Sequence, residues 1–168
     1  KSIKIPGSGG YVGTRDFSRI REVARMNQWS LRPEHGMNDN DQTRMPLGIY
    51  IHIPFCVRKC DYCDFFSEPA AKEVWRAYVQ ALIKEIYLNQ DVKGRYLVKT
   101  VFFGGGTPSI LPGQAIAEIT AALRDCFDFE KESMEISLEA NPGTVTEEKL
   151  ALWKEARVNR VSFGVQSA

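Results

Sequence analysis

The sequence predicts an α/β fold of parallel strands, arranged as a sheet or barrel, on three observations. Short apolar runs of strand length alternate with longer segments whose apolar residues return every three or four positions. The resulting order is β-α-β-α-β-α-β, and strands separated by helices imply right-handed parallel crossovers. Residues suited to chemistry rather than packing fall just after the carboxyl ends of the predicted strands. In parallel β/α sheets and barrels those ends share one face, which carries the site.

Residues 1–46 stand apart from this pattern. Lys1 to Gly13 is glycine-rich and aperiodic. Asp16 suits the cap of a short helix with Phe17, Ile20, Val23 and Ala24 on one face. Pro33 to Pro46 is polar and reads as a linker. The expectation is a flexible or extraneous extension over 1–46, followed by a domain over 47–168.

From Leu47 the pattern is regular. Ile49–Ile53 is an apolar strand with His52 as its interruption. After Pro69, a helix is marked by Val74, Trp75, Tyr78, Ala81, Leu82, Ile86 and Tyr87. Leu97–Phe103 forms a second strand running into Gly104-Gly105-Gly106-Thr107-Pro108. A helix from about Pro112 to Cys126 turns Ile116, Ile119 and Leu123 inward. Met134–Leu138 is the third strand, ending at Glu139. Thr146 suits an N-cap, with Lys149 where a capping box would have Glu or Gln, and Leu150 and Trp153 follow on a third helix. Asn159–Phe163 is the fourth strand and leads to Gly164 and Gln166.

The densest chemistry lies directly after the first strand. Cys56, Cys60 and Cys63 have the spacing C-x3-C-x2-C. Three thiols this close suit one metal centre and suit a disulfide framework poorly. A structural zinc site and an iron–sulfur cubane both usually take four protein ligands, and here the local count stops at three. His52 is a candidate fourth ligand, although its place on a strand favours a core or site-lining role. A cubane on three thiolates leaves one iron able to bind a small molecule. A zinc knuckle or a set of reactive thiols is the competing reading.

The other strand-end residues each have a plain structural alternative. Gly104–Gly106 let backbone approach a ligand, or simply form a tight turn. The run is neither a dinucleotide fingerprint nor a phosphate loop. Glu139 can meet an ammonium group or a ribose, or be a solvated carboxylate. Gln166 is weaker still when taken alone. Asn159 and Arg160 open their strand, near the opposite face, where structural pairing is expected. Cys126 follows an apolar helical face and is expected buried.

Composition narrows the class without naming a function. Hydrophobic residues make up 43% and charged residues 26%, as in ordinary globular proteins. A net charge of +1 gives no case for nucleic acid or an anionic membrane as partner. There is no apolar run near the ~20 residues of a transmembrane helix. The polar first residues give no signal-peptide pattern, and clustered free cysteines point to a reducing, cytoplasmic setting.

Five motifs in order carry a family resemblance: Tyr50-Ile-His-Ile-Pro-Phe-Cys, Cys-Asp-Tyr-Cys-Asp-Phe, Phe-Phe-Gly-Gly-Gly-Thr-Pro-Ser, Leu-Glu-Ala-Asn-Pro-Gly-Thr and Asn-Arg-Val-Ser-Phe-Gly-Val-Gln-Ser. The C-x3-C-x2-C loop after a short strand resembles the radical S-adenosylmethionine (radical SAM) superfamily. All five together resemble the HemW-type haem chaperones, relatives of the oxygen-independent coproporphyrinogen III dehydrogenase of the HemN type. The resemblance covers about residues 47–168.

It implies the N-terminal part of a partial (β/α)6 TIM-type barrel that stops after its fourth strand, and so a fragment or truncated copy, poorly soluble and inactive alone. It implies a [4Fe-4S] cluster on Cys56, Cys60 and Cys63, with exchangeable SAM on the open iron, from which an electron releases a 5′-deoxyadenosyl radical. Tyr50, Tyr62, Gly105, Gly106, Thr107, Glu139 and Gln166 match cofactor-contacting positions. The implied partners are haem or a porphyrin, a haem acceptor protein and an electron donor. The dehydrogenase usually has a further cysteine two residues after the third ligand; Phe65 stands there, which favours the chaperone over the oxidase. Arg157 departs from the glycine that the family commonly has before Val-Asn-Arg, where glycine would relax the helix-to-strand turn.

Overall fold

The computed structural model describes residues 2–3, 12–13, 44–61, 63–64 and 67–165. Two-residue strands β1 (Ser2–Ile3) and β2 (Val12–Gly13) pair antiparallel. The expected helix around Phe17 and most of the expected linker lie outside the described residues.

The remaining elements are β3 (Met45–Ile53), α1 (Lys72–Tyr87), β4 (Tyr96–Gly105), α2 (Gly113–Cys126), β5 (Asp128–Phe129), β6 (Glu135–Ala140), α3 (Glu147–Glu155) and β7 (Arg160–Phe163). The sheet order is β3-β4-β6-β7, every neighbouring pair parallel, with β5 beside the start of β4. Chain order equals spatial order, as in successive units of a β/α barrel wall. The predicted four strands and three helices are all present. β5 was not foreseen, because two residues, Asp128 and Phe129, give no period to read.

Several boundaries differ from expectation. β3 begins at Met45, so Met45 and Pro46 belong to the sheet rather than a linker. β4 takes in Gly104 and Gly105, and β6 takes in Glu139. Hydrogen bonding to neighbouring strands decides these ends, and glycine content does not reveal it.

Registration sorts the side chains onto two faces. One face is apolar: Ile49, Val101 and Ile136 align across the strands, then Ile51, Phe103, Leu138 and Val161. All but Val161 are buried beneath the helices. On the opposite face Tyr50, Phe102, Ser137 and Arg160 form one row, and His52, Gly104, Glu139 and Ser162 the next towards the carboxyl ends. The helical apolar faces differ in detail from the periodicity. On α1, Val79 and Ile86 are buried while Val74 and Tyr87 are exposed. On α3, Trp153 is buried and Leu150 is exposed. Leu152 instead packs on Gly113, where a Cβ would lie 2.8 Å from Leu152 Cδ1.

Helix ends follow local rules. The Thr146 hydroxyl accepts from Lys149 N–H at 3.3 Å, making the predicted N-cap of α3. At the other end, Val158 N–H donates to Trp153 O and Arg157 N–H to Lys154 O, both at 2.9 Å, which is a Schellman turn. Its left-handed position is Arg157, at φ 64°, the one non-glycine residue with positive φ among those described. Asn159 then closes the entry to β7: its Oδ1 accepts from Ile136 N–H at 2.9 Å and its Nδ2 donates to Met134 O at 2.7 Å. Arg160 pairs with Glu135 at 3.2 Å, so both residues act structurally at the amino end of the sheet.

Candidate functional site

The cysteine loop is tied to the sheet through its ends. Cys56 N–H donates to Glu68 O at 3.2 Å and Glu68 N–H to Pro54 O at 3.1 Å, closing the loop at its base. The glycine run carries the β3–β4 ladder past the strand ends: Gly106 N–H donates to Ile53 O at 2.8 Å and Thr107 N–H to Phe55 O at 2.7 Å. A Cβ on Gly106 would lie 2.5 Å from Phe55 O, and one on Gly105, at φ +112°, 2.5 Å from His52 Nδ1. Glycine at both places is thus required by the approach of two protein segments. The sequence offered a ligand's approach or a tight turn as the reason for these glycines, and contact between two protein segments was neither.

These contacts shape a cleft of about 640 Å³ across the carboxyl ends of the strands. Cys56, Cys60, Cys63, Gly105, Gly106, Thr107 and Glu139 line it together. Seven of the ten residues singled out from sequence therefore share one site. Tyr50 does not line it: it sits one row down, stacked on Phe102 with ring centroids 5.9 Å apart, its hydroxyl 3.2 Å from His52 Nδ1. Tyr62 and Gln166 lie outside the described residues, as does Phe65. Arg58, Asn141, Thr144 and Ser162 also line the cleft and were missed. Their shared signal is position at or just beyond strand ends, which admits too many residues to select them.

All four cysteines are free thiols, and Cys126 is buried in the core, where burial pushes its thiol up. Cys56 and Cys63 are half-buried and Cys60 is exposed. Cys63 N–H donates to Cys60 O at 3.1 Å, and the Thr107 hydroxyl donates to Cys56 Sγ at 3.5 Å. The three thiols face one cleft without closing on a point: among the described residues, no three His, Cys, Asp or Glu side chains are placed to hold a single metal ion. A thiol becomes a metal ligand only by losing its proton, so binding and the final arrangement of the ligands are coupled. Three adjacent thiols with a hydroxyl directed at one of them fit a thiophilic centre by donor chemistry.

Glu139 is the anionic element. Its Oε2 accepts from Gly105 N–H at 3.2 Å, and burial raises its pKa while that bond partly lowers it. Gly104 makes room for it, since a Cβ there would lie 3.0 Å from the same oxygen. A half-buried carboxylate in a cleft is matched to a cationic group on a ligand. At the end of β3, the Tyr78 phenol donates to His52 O at 2.5 Å, and burial, with Glu85 and Tyr50 nearby, pushes it up to about 12.

Lys149 braces the far wall. Its ammonium donates to Ser109 O at 2.7 Å and Thr144 O at 2.9 Å, joining the loops after β4 and β6. Asn141 N–H donates to Ser109 Oγ at 3.0 Å, and the Ser109 and Thr144 hydroxyls meet at 2.5 Å. The residue that fails the capping box thus serves a tertiary purpose.

Comparison with known proteins places this architecture. The family model of the radical SAM superfamily matches residues 50–168. The chain belongs to the radical SAM superfamily. The chain is 47% identical over 126 residues to the haem chaperone HemW of Escherichia coli K12, covering 73% of this chain and 32% of that protein. HemW of Haemophilus influenzae is 38% identical over 127 residues, 73% of this chain and 33% of its own. The oxygen-independent coproporphyrinogen III oxidase of Bradyrhizobium diazoefficiens is 39% identical over 166 residues, 98% of this chain and 35% of that protein. The solved coproporphyrinogen III oxidase HemN of E. coli superposes with a TM-score of 0.66 at 31% identity, over 73% of this chain and 28% of its own. The chain spans about a third of the length of the curated relatives it matches. The radical SAM fold therefore accounts for the parallel order β3-β4-β6-β7. No helix among the described residues is long and apolar enough to cross a membrane.

Proposed function

We propose that this chain contributes the cluster- and cofactor-binding part of a HemW-type haem chaperone, which binds haem and passes it to an acceptor protein. Cys56, Cys60 and Cys63 would hold a [4Fe-4S] cluster, with SAM bound exchangeably at the iron that lacks a cysteine. When bound, the cluster and SAM together supply one-electron chemistry. Glu139 would meet the cofactor's cationic end, and Gly105, Gly106 and Thr107 would form the wall beside it. Tyr50, Tyr62 and Gln166 enter by resemblance alone, with Tyr50 one row from the cleft. The expected extension, shortened to residues 1–44 because β3 begins at Met45, is proposed to lie outside the core domain, and the setting is proposed as cytoplasmic, with an electron donor among the partners.

One observation carries this reading: three thiols, a glycine wall and a half-buried carboxylate from three separate strand ends line one cleft. Phe65 in Cys-Asp-Phe, together with 47% identity to E. coli HemW, supports the chaperone. The second reading is oxidative decarboxylation of coproporphyrinogen III. The oxidase of B. diazoefficiens favours it, because that match extends over 98% of the chain and so takes in residues before 47.

Anaerobic iron–sulfur reconstitution followed by EPR, with and without SAM, tests the site. A cubane signal that changes on adding SAM is expected. A colourless, zinc-loaded protein would refute the proposal. Haem titration and a porphyrinogen-to-vinyl product assay then separate carrier from oxidase.

A further inference from the structure

Thr107 is held more firmly than a cleft-wall residue needs to be. Its N–H donates to Phe55 O at 2.7 Å and its carbonyl accepts from Ile110 N–H at 3.0 Å. It precedes Pro108, which disfavours the helical region for it, and it sits at φ −134°, ψ 87°. Being β-branched, it has few χ1 choices. Backbone and side chain together aim the hydroxyl at Cys56 Sγ, 3.5 Å away. Cys56 is fixed from its own side by the bond from its N–H to Glu68 O. The approach is therefore built from both partners.

A threonine hydroxyl has one proton to donate and two lone pairs to accept with. Spending the proton on Cys56 sulphur leaves the lone pairs facing the cleft. A hydrogen bond to a cluster thiolate stabilises the more negative, reduced state over the oxidised one. We propose that Thr107 is a tuning residue: its hydroxyl donates to the Cys56 thiolate and raises the reduction potential of the cluster. This rests on the cluster assignment made above and adds a role that contact with SAM does not supply.

The test compares Thr107→Val, which keeps the shape and loses the hydroxyl, with Thr107→Ser, which keeps the hydroxyl. Each protein is reconstituted anaerobically, its iron and sulfide are quantified, and its midpoint potential is measured by EPR-monitored titration without SAM. Leaving SAM out separates a bond to sulphur from a contact with the cofactor. The valine variant is expected to shift negative, its reduced-to-oxidised ratio at a fixed potential falling roughly threefold to tenfold, the latter being 59 mV for one electron. The serine variant should stay with the parent. An unmoved potential in the valine variant, or a serine variant that shifts with it, would overturn the inference. So would loss of the cluster from both Thr107→Val and Thr107→Ala with retention in Thr107→Ser, which would make the hydroxyl an assembly requirement. A parent protein that takes up no cluster would overturn the proposed function, and this inference with it.

Discussion

Replacing Arg157 with glycine should stabilise the fold. Arg157 occupies the left-handed position of the Schellman turn that ends α3, at φ 64°. For a residue with a Cβ that conformation costs roughly 1–2 kcal/mol. Glycine removes the cost but gives back about 0.4–1 kcal/mol through its greater freedom in the unfolded chain. The expected net gain is about 0.5–1 kcal/mol, read as a higher denaturant midpoint at unchanged slope. A second effect must be separated from strain. Burial is the main cause lowering the Arg124 pKa, and the nearby positive charge of Arg157 adds to it. Arg157→Ala removes that charge yet keeps a Cβ at positive φ, so it isolates the electrostatic part. Urea unfolding of parent, alanine and glycine forms decides the matter. If alanine gains as much as glycine, the charge is responsible and the backbone argument fails. A glycine variant less stable than the parent would refute the assigned turn itself.

Gly106→Ala should cost about 1–3 kcal/mol, because its Cβ would meet Phe55 backbone atoms at 2.5–3.0 Å; thermal unfolding measures the loss, and reconstituted iron content should fall with it. Lys149→Met should cost about 2 kcal/mol by removing two charge-assisted bonds to Ser109 O and Thr144 O. Hydrogen exchange should then quicken in the loops after β4 and β6 together, and quickening in only one would refute the brace. Glu139→Gln tests the buried carboxylate. Its folded pKa is raised, so its stabilising contribution is complete below the ordinary 4.5 and is lost as pH rises through the folded value. The parent should therefore lose stability relative to the glutamine form as pH climbs from about 4.5 towards neutrality, and denaturant midpoints that run parallel across that range would refute the burial effect.

The sheet was legible because its apolar rows are long and continuous. Ile49, Ile51 and Ile53 face the helices regardless of where β3 is taken to begin. The site was legible because parallel topology sends every strand end to one face, so Cys56, Gly105 and Glu139 could be brought together without coordinates. What escaped depends on distances that periodicity does not encode. Lys149 looked like a flawed capping residue until its reach to Ser109 O, across 40 positions, was visible. Val79 and Leu152 outrank Val74 and Leu150 because neighbouring helices choose which residues of a wide apolar stripe they cover. Arg157 is a partial success: the family resemblance marked the turn as one that glycine would suit, and the chain adopts that turn with arginine in it.

The three thiols are not equivalent, and the reason lies in the backbone. Cys56 directly follows Phe55, whose carbonyl receives Thr107 N–H, and its own N–H is spent on Glu68 O. Its position is a property of the sheet. Cys60 and Cys63 are joined to each other by Cys63 N–H and Cys60 O, within the loop that Phe55 and Glu68 close. Were they to close on the proposed centre, the movement would draw on that loop alone, and the ordering cost of metal binding would fall there. A centre assembled this way gains affinity from every contact that fixes the loop base beforehand. On the proposed cluster assignment, Gly106 and Glu68 would therefore take part in metal binding, although neither offers a ligand to it.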